Sequence, residues 1–186
     1  MNRNIELKAR CPDLAAAHGR ATTLGAVLHG EERQRDTYFR VAAGRLKLRE
    51  RWPGRTTVAS PHEPSSTDSP QLSQLIWYCR RDDARPRPSD YSLIVVHDGD
   101  GLCALLANAL GVVAEVNKHR AIYIHDNVRI HLDDVAGRGT FLEFEAIVDE
   151  TCDDAAAHAK LDRLRAVFGI SQEQVLSQSY ADMGEA

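Results

Sequence analysis

Long apolar runs and paired cysteines are both missing from this sequence of 186 residues. No stretch of about 18 apolar residues occurs, so a membrane-spanning helix is not expected. The first residues, Met1 to Glu6, lack the apolar core and the small-residue cleavage site of a secretory signal, which argues against export. The cysteines are widely spaced and form no CxxC pair, a pattern that predicts reduced thiols in a cytoplasmic protein: Cys11, Cys79, Cys103 and Cys152.

Several common site motifs are also absent. The eight histidines show neither HxxxH nor HExxH spacing, which argues against a zinc site. No Walker loop and no GxGxxG sequence occurs, so the familiar phosphate cradles at helix N-termini are excluded. The chain has 23 basic and 27 acidic side chains, and this net charge of −4 argues against a general nucleic-acid binder.

Charge is distributed unevenly along the chain. Residues 1–60 contain twelve Lys or Arg and six Asp or Glu, whereas residues 131–186 contain four and twelve. This asymmetry fits either a chance distribution over a solvated surface or two complementary halves of one site.

Hydrophobic periodicity predicts a protein of the α+β class, or a β-barrel covered by helices. Residues 53–71 are rich in Pro, Ser and Thr, which favours a mobile loop inside a single domain spanning residues 1–186. The predicted strands are 4–9, 33–41, 45–52, 73–81, 91–96, 112–125, 128–134 and 140–148. The predicted helices are about 12–26, 98–110, 153–169 and 172–183, with Asp98 and Gly111 at the ends of the second.

Each predicted strand has one ionic face, because residues of equal parity share a side. A plain solvated face is one interpretation, but these rows are rich in Arg and place three acids on adjacent strands, where like charges destabilise a sheet unless a cation lies between them. An internal site for a polyphosphate bridged by divalent metal would explain both features. The rows are Asn4, Glu6 and Lys8; Lys47, Arg49 and Arg51; Tyr78 and Arg80; Lys118 and Arg120; Arg129, His131 and Asp133; Glu143 and Glu145.

These rows carry a resemblance to the CYTH superfamily of triphosphate tunnel metalloenzymes. The ExExK element of that family is matched by Asn4-Ile5-Glu6-Leu7-Lys8, although Asn4 replaces its leading Glu and removes one negative charge. Later elements are matched, in order and over almost the whole chain, by Asp36-Thr37-Tyr38-Phe39, Leu46-Lys47-Leu48-Arg49-Glu50, Lys118-His119-Arg120-Ala121-Ile122-Tyr123, Val128-Arg129-Ile130-His131-Leu132-Asp133 and Phe141-Leu142-Glu143-Phe144-Glu145.

The resemblance implies a closed antiparallel barrel of eight strands with flanking helices and the ionic rows inside. It implies Mg²⁺ or Mn²⁺ as cofactor, held by Glu6, Asp133, Glu143 and Glu145. It also implies that Lys8 and Arg120 are catalytic, and that the triphosphate is bound by Lys8, Lys47, Arg49, Arg80, Lys118, Arg120 and Arg129.

Within the family, the sequence looks most like the branch named class IV adenylyl cyclases. The segments that carry this likeness are Asp36-Thr37-Tyr38-Phe39, Tyr78-Cys79-Arg80-Arg81-Asp82 followed by Ser89-Asp90-Tyr91, and Ser179-Tyr180-Ala181-Asp182. Formation of cyclic AMP and pyrophosphate from ATP is therefore the first expectation. Hydrolysis of inorganic or thiamine triphosphate is the alternative, and a non-catalytic triphosphate sensor is a third hypothesis, motivated by Asn4. The expected partner is a small-molecule triphosphate, without nucleic acid or membrane, and a homodimer is possible.

Overall fold

The structure of the chain is a computed structural model that describes residues 2–54, 70–80 and 85–183. Within these ranges eight strands and three α-helices follow one another. The strands are β1 (Asn2–Arg10), β2 (Val27–Phe39), β3 (Arg45–Pro53), β4 (Leu72–Arg80), β5 (Arg87–Val96), β6 (Val112–His125), β7 (Val128–Val135) and β8 (Gly139–Ile147). The helices are α1 (Leu14–Thr23), α2 (Gly99–Leu110) and α3 (Asp154–Val167), and two 3₁₀ turns follow at Gln172–Gln174 and Tyr180–Asp182.

The strands close into one antiparallel barrel in the order β1-β5-β4-β3-β2-β6-β7-β8. This confirms the expected eight-stranded closed barrel with flanking helices. The register places Lys8 opposite Glu143, Asp36 opposite Arg49, and Arg120 opposite Asp133. Because side chains alternate between the two faces of a strand, this register directs the ionic rows towards the barrel axis.

The hydrophobic core lies outside the barrel wall, beneath α1 and α3. Ile5, Ile130 and Phe144 point outward and are completely buried. Leu161 and Leu164 form the matching apolar stripe of α3, and each such side chain contributes about 1.5–3 kcal/mol on full burial. The apolar faces of the strands are therefore satisfied by helices, which leaves their polar faces to line the interior.

Most element boundaries agree with the sequence, and the largest shift is in β2. Its first strand residue is Val27, whereas the prediction began at residue 33, because the early part of β2 pairs with β6 across an irregularity between Leu28 and Gly30. Asp98 caps α2 through the backbone N–H of Gly101, and Gly111 ends that helix with φ of 78°, as expected. Of the helices in the described part of the chain, none is long and apolar enough to cross a membrane.

The predicted helix over residues 172–183 is wrong. The segment contains the two 3₁₀ turns and an extended stretch between them. Its backbone instead bonds to the barrel, since the N–H of Leu176 donates to the carbonyl oxygen of Lys8 at 2.8 Å and Val175 bridges to Ala9. We call residues 172–183 the C-terminal segment.

The predicted loop over 53–71 falls largely on residues 55–69, which lie outside the described residues. Its two ends belong to the sheet region. Pro53 is the last residue of β3, and the backbone N–H of Gln71 donates to the carbonyl oxygen of Arg51 at 3.0 Å. Arg51 and Gln71 therefore lie side by side at the same end of the barrel.

Candidate functional site

A cavity of about 560 Å³ runs inside the barrel and receives side chains from all eight strands. Every site residue expected from the sequence lines it except Asp133. Ser179 and Tyr180 of the C-terminal segment line it as well. That segment crosses one end of the barrel, where it contacts β1 at Lys8, β4 at Tyr78 and β5 at Arg87.

Three of the expected phosphate-binding cations converge on Asp36, a fully buried residue of β2. Lys47 Nζ and Lys118 Nζ lie 3.0 and 2.9 Å from Asp36 Oδ2, and Arg49 donates from Nε and Nη2 at 2.7 and 2.8 Å. Burial opposes ionisation of this carboxyl, but the three cations outweigh it and hold its pKa well below the usual range. One negative charge therefore organises three positive ones, which leaves the group net positive.

Among the cations around Asp36, Lys118 has a strongly lowered pKa. Burial lowers the pKa of its ammonium to about 7, although Asp36 opposes the shift. Neighbouring Arg49, Arg120 and Lys47 disfavour the charged form further. An added anion would relieve both the desolvation and the repulsion, as expected of a site built for a polyanion.

Arg120 is held by two acids at once. Its guanidinium donates to Asp133 through Nε and Nη2, both at 2.6 Å, and to Glu143 through Nη2 at 2.8 Å. Tyr180 also donates its hydroxyl proton to Asp133 Oδ2 at 2.7 Å. Asp133 is thus fully buried behind Arg120, with both oxygens engaged, and does not reach the cavity surface.

Glu143, Glu145 and His131 form a group of metal-ligating side chains on β7 and β8. One potential ligand atom from each residue lies within 4.8 Å of the other two. Lys8 Nζ is 3.0 Å from Glu143 Oε1, and burial of Glu143 is outweighed by Lys8, His131 and Arg120, which hold its pKa well below the usual range. Both Glu143 and Glu145, whose pKa is also lowered, are therefore ionised and partly neutralised by cations.

Glu6 lies beside this group in the register, opposite Glu145, but its carboxylate faces two arginines. Arg80 Nη1 is 3.0 Å and Arg87 Nε 3.6 Å from Glu6 Oε1. Burial raises the pKa of Glu6 to about 7, and the charges of Glu143 and Glu145 act in the same direction, against Arg80.

The donor chemistry of these residues fits a divalent cation. Carboxylate and amide oxygens are the ligands that Mg²⁺ and Mn²⁺ prefer, and a cation would relieve the repulsion among Glu6, Glu143 and Glu145. Asn4 Oδ1 lines the cavity, is buried, and has no hydrogen-bond partner among the described residues. An unpaired buried acceptor beside carboxylates points to a missing positive or donating group.

Sequence reasoning gave no role to Asp36 or Tyr180, which prove central to the geometry. A signal for Asp36 was present, because it shares parity with Gln34 and Tyr38 on a predicted strand. Tyr180 offered no such signal, since its ring contacts depend on a long-range return of the chain. Lys8 Nζ lies 3.4 Å from the centroid of this ring.

Comparison with protein families supports the resemblance seen in the sequence. The CYTH domain profile matches residues 2–180. The chain belongs to the CYTH family. A search of curated proteins returned no match to this CYTH chain.

Solved structures share the CYTH barrel at low sequence identity. The PH1012 protein of Pyrococcus horikoshii OT3 has a TM-score of 0.76 at 23% identity, covering 96% of this chain and 98% of its own. A "putative adenylate cyclase" of Vibrio parahaemolyticus has 0.72 at 21%, covering 95% and 94%. A "putative adenylyl cyclase" of Hippeastrum, described as having a dominant triphosphatase activity, has 0.61 at 14%, covering 98% and 93%. At these identities the likeness establishes the fold.

Proposed function

We propose that this CYTH protein is a metal-dependent enzyme that acts on a nucleoside or other organic triphosphate inside its tunnel. The observation that carries the proposal is the placement of cations and acids on facing walls of one cavity. Lys47, Arg49 and Lys118 surround one side, while Glu143 and Glu145 line another. Cations neutralise phosphate oxygens, and clustered carboxylates recruit the metal that such a substrate carries.

The triphosphate would displace part of the internal ion pairing as it binds. The group around Asp36 has three cations for one carboxylate, so it retains net positive charge for phosphate oxygens. Arg80 and Arg129 extend this surface along two other strands. Lys8 and Arg120 stand between the cations and the acids, and we assign them to stabilising the charge that develops as a phosphate bond breaks.

Glu143, Glu145 and His131 would hold Mg²⁺ or Mn²⁺, with Glu6 beside them. The bound ion would supply Lewis-acid polarisation of the phosphoryl oxygens. We assign Asp133 to holding Arg120 in place, because its oxygens are already engaged by Arg120 and Tyr180.

Cyclisation of ATP is the favoured reaction, with hydrolysis as the second candidate. In cyclisation the ribose 3′-oxygen attacks the α-phosphorus, its proton is lost, and the bond to pyrophosphate breaks. In hydrolysis a water attacks the terminal phosphorus instead. Both reactions need the same charge stabilisation. The name of the Vibrio protein supports cyclisation, and the triphosphatase activity in the description of the Hippeastrum protein supports hydrolysis.

Product analysis tests the proposal directly. The protein is incubated with ATP, tripolyphosphate and thiamine triphosphate, each with Mg²⁺ or Mn²⁺ and with EDTA as control. Cyclic AMP together with pyrophosphate supports the cyclase, and released inorganic phosphate supports the hydrolase. Tight binding without turnover would replace the enzyme proposal by the sensor hypothesis, and absence of both binding and turnover would reject a triphosphate site.

A further inference from the structure

One end of β5 has a strand neighbour on one side only. Its ladder with β4 runs from Ser89 to Val96. On the other side β5 pairs with β1, and this second ladder ends where Asn2 lies opposite Tyr91. Among the residues that the structure describes, the stretch 92–96 therefore pairs with β4 alone. We call residues 92–96 the free edge.

The backbone of the free edge still offers hydrogen-bonding groups. In an antiparallel ladder, alternate N–H and C=O groups point away from the neighbouring strand. Apart from the ladder with β4, the free edge makes no hydrogen bond to any other part of the described chain. A β-strand presents donors and acceptors at the spacing that matches such a row, so the edge fits an added strand.

The side chains of the free edge do not protect it from pairing. Its sequence is Ser92-Leu93-Ile94-Val95-Val96, and Leu93, Ile94 and Val95 are 39%, 60% and 54% exposed. Natural edge strands usually avoid association by means of charged residues, proline or a bulge. The free edge contains no charged residue and no proline, and its register with β4 runs without a bulge. An exposed edge of this composition is typical of an interface.

A second copy of the chain is the partner that suits this edge. Two free edges in antiparallel orientation would bring apolar side chains against apolar side chains and no like charges against each other. A charged partner would find no residue of opposite charge within 92–96. A two-fold axis near Ile94 would use the edge once on each chain, so the association would close at two copies.

We infer that two copies of this chain pair through their free edges, as antiparallel strands about a two-fold axis near Ile94, and form a homodimer. The pairing joins the β4–β5 ladders of the two barrels into one continuous sheet. It goes beyond the proposed function, because the contact uses none of the cations and acids of the tunnel. Leu93 also lines the cavity, so the variants below leave it unchanged.

Sedimentation of the full chain at increasing concentration tests the inference. The wild type should form a dimer, and Ile94→Lys should weaken association about 100-fold, because it removes an apolar contact from both copies and brings two like charges together. Leu105→Lys is the matched control and should dimerise like the wild type, since Leu105 on α2 is also 60% exposed. A dimer that is as tight in Ile94→Lys as in the wild type would overturn the inference.

The mass of the wild type supplies two further outcomes. A chain that remains monomeric at about 100 µM would overturn the homodimer. Assemblies that continue to grow beyond two copies would overturn the two-fold arrangement, because that arrangement leaves no free edge for a third copy.

A mixture of oppositely charged variants tests whether the edge pairs with itself. Ile94→Glu alone should also be a weak dimer. An equal mixture of Ile94→Lys and Ile94→Glu should associate about five- to tenfold more tightly than either variant alone, because opposite charges then face each other across the strands. Thermal denaturation checks that both variants are folded. A mixture that associates no better than its components would overturn self-pairing.

Amide hydrogen exchange of the wild type distinguishes strand pairing from a contact of side chains only. Amides of residues 92–96 should exchange about tenfold more slowly in the dimer than after dilution to the monomer, since pairing protects backbone N–H groups. Leu105→Lys should show the same protection. Equal exchange rates before and after dilution would overturn pairing through this edge.

Discussion

Asp36 is the residue on which the cationic side of the tunnel depends. Its three cations, of which Lys47 and Lys118 are buried, would repel one another without it, and none has a second carboxylate among the ion pairs of the described residues. An anionic substrate offers the same kind of charge that Asp36 supplies. The residue therefore acts as an internal counter-ion that keeps the binding groups assembled when no substrate is present.

Substitution of Asp36 measures this contribution. Asp36→Asn removes the charge at nearly constant volume and should lower the free energy of unfolding by about 3–5 kcal/mol, as when one partner of a buried ion pair is lost. Urea unfolding at pH 7 measures the change, with Asp134→Asn as control because Asp134 is exposed on β7. A loss below about 1 kcal/mol would contradict the assigned role.

Glu143 is the acid through which metal binding is tested. Glu143→Gln keeps the shape but removes one charge from the group with Glu145 and His131, so Mn²⁺ affinity should fall by about 10- to 100-fold and turnover should be lost. Because Glu143 also neutralises Lys8 and Arg120, thermal stability is recorded in parallel. Glu115→Gln, on the outer face of β6, is the matched control. Unchanged Mn²⁺ affinity would exclude Glu143 as a ligand.

Asn4 marks the departure from the ExExK element, and its unpaired Oδ1 lies in the cavity. Asn4→Glu should raise Mn²⁺ affinity by about tenfold, because another carboxylate is added to the acidic wall. Without metal the same variant should be less stable than the wild type, since like charges repel. Calorimetric titration measures the affinity, and Asn108→Glu on exposed α2 controls for the added charge. Equal affinity in Asn4→Glu and wild type would argue against a ligand at this position.

At the scale of elements, alternation predicted most of the barrel. The rows on β1, β3, β6 and β8 face the interior as their parity required, because a one-residue slip would have buried charges beneath α1 and α3. The early part of β2 and the C-terminal segment could not be predicted in this way. Their structure depends on contacts with residues far away in sequence rather than on a local period.

The same distinction applies to the site. Parity identified which side chains enter the tunnel, yet it could not separate a residue at the cavity surface from one behind it. Asp133 shares parity with Arg129 and His131, but Arg120 and the hydroxyl of Tyr180 cover it. The difference follows from the cross-strand contact of Arg120 and from the position of the C-terminal segment, which brings Tyr180 to Asp133.

Tyr180 links the C-terminal segment to the interior of the barrel. Tyr180→Phe removes the hydroxyl that donates to Asp133 and leaves that buried oxygen with fewer donors, which should cost about 1–3 kcal/mol. Chemical denaturation measures the loss. Tyr91→Phe is the control, because Tyr91 also lines the cavity but its hydroxyl makes none of the hydrogen bonds found among the described residues. A stability equal to wild type would show that the hydroxyl does not anchor the segment.

At the scale of the whole molecule, the uneven charge of the sequence acquires a structural meaning. Cations from β1 and β3 and acids from β8 meet in one cavity, and pairs such as Lys8 with Glu143 join the two ends of the chain. Part of the acidic excess has another origin. Asp153 and Asp154 lie at the start of α3, where acids favour the helix dipole, and Asp153 accepts a hydrogen bond from the N–H of Ala156.

The charge of the tunnel should depend on pH through Lys118. Because burial lowers the pKa of this ammonium to about 7, its charged fraction falls from about 90% at pH 6 to about 10% at pH 8 when no anion is bound. Affinity for tripolyphosphate should therefore fall by about tenfold over this range through Lys118 alone. Titration of the ligand itself adds a further change that is common to all variants.

Lys118→Arg isolates this contribution, because an arginine stays charged throughout the range. Calorimetric titration with tripolyphosphate at pH 6, 7 and 8 measures the affinity, with EDTA present to exclude metal. Between pH 6 and pH 8 the affinity of the variant should fall about tenfold less than that of the wild type. Lys160→Arg, on α3 outside the tunnel, should titrate like the wild type. Parallel pH profiles for wild type and Lys118→Arg would mean that Lys118 is fully charged at neutral pH, and that Asp36 outweighs the effect of burial on this ammonium.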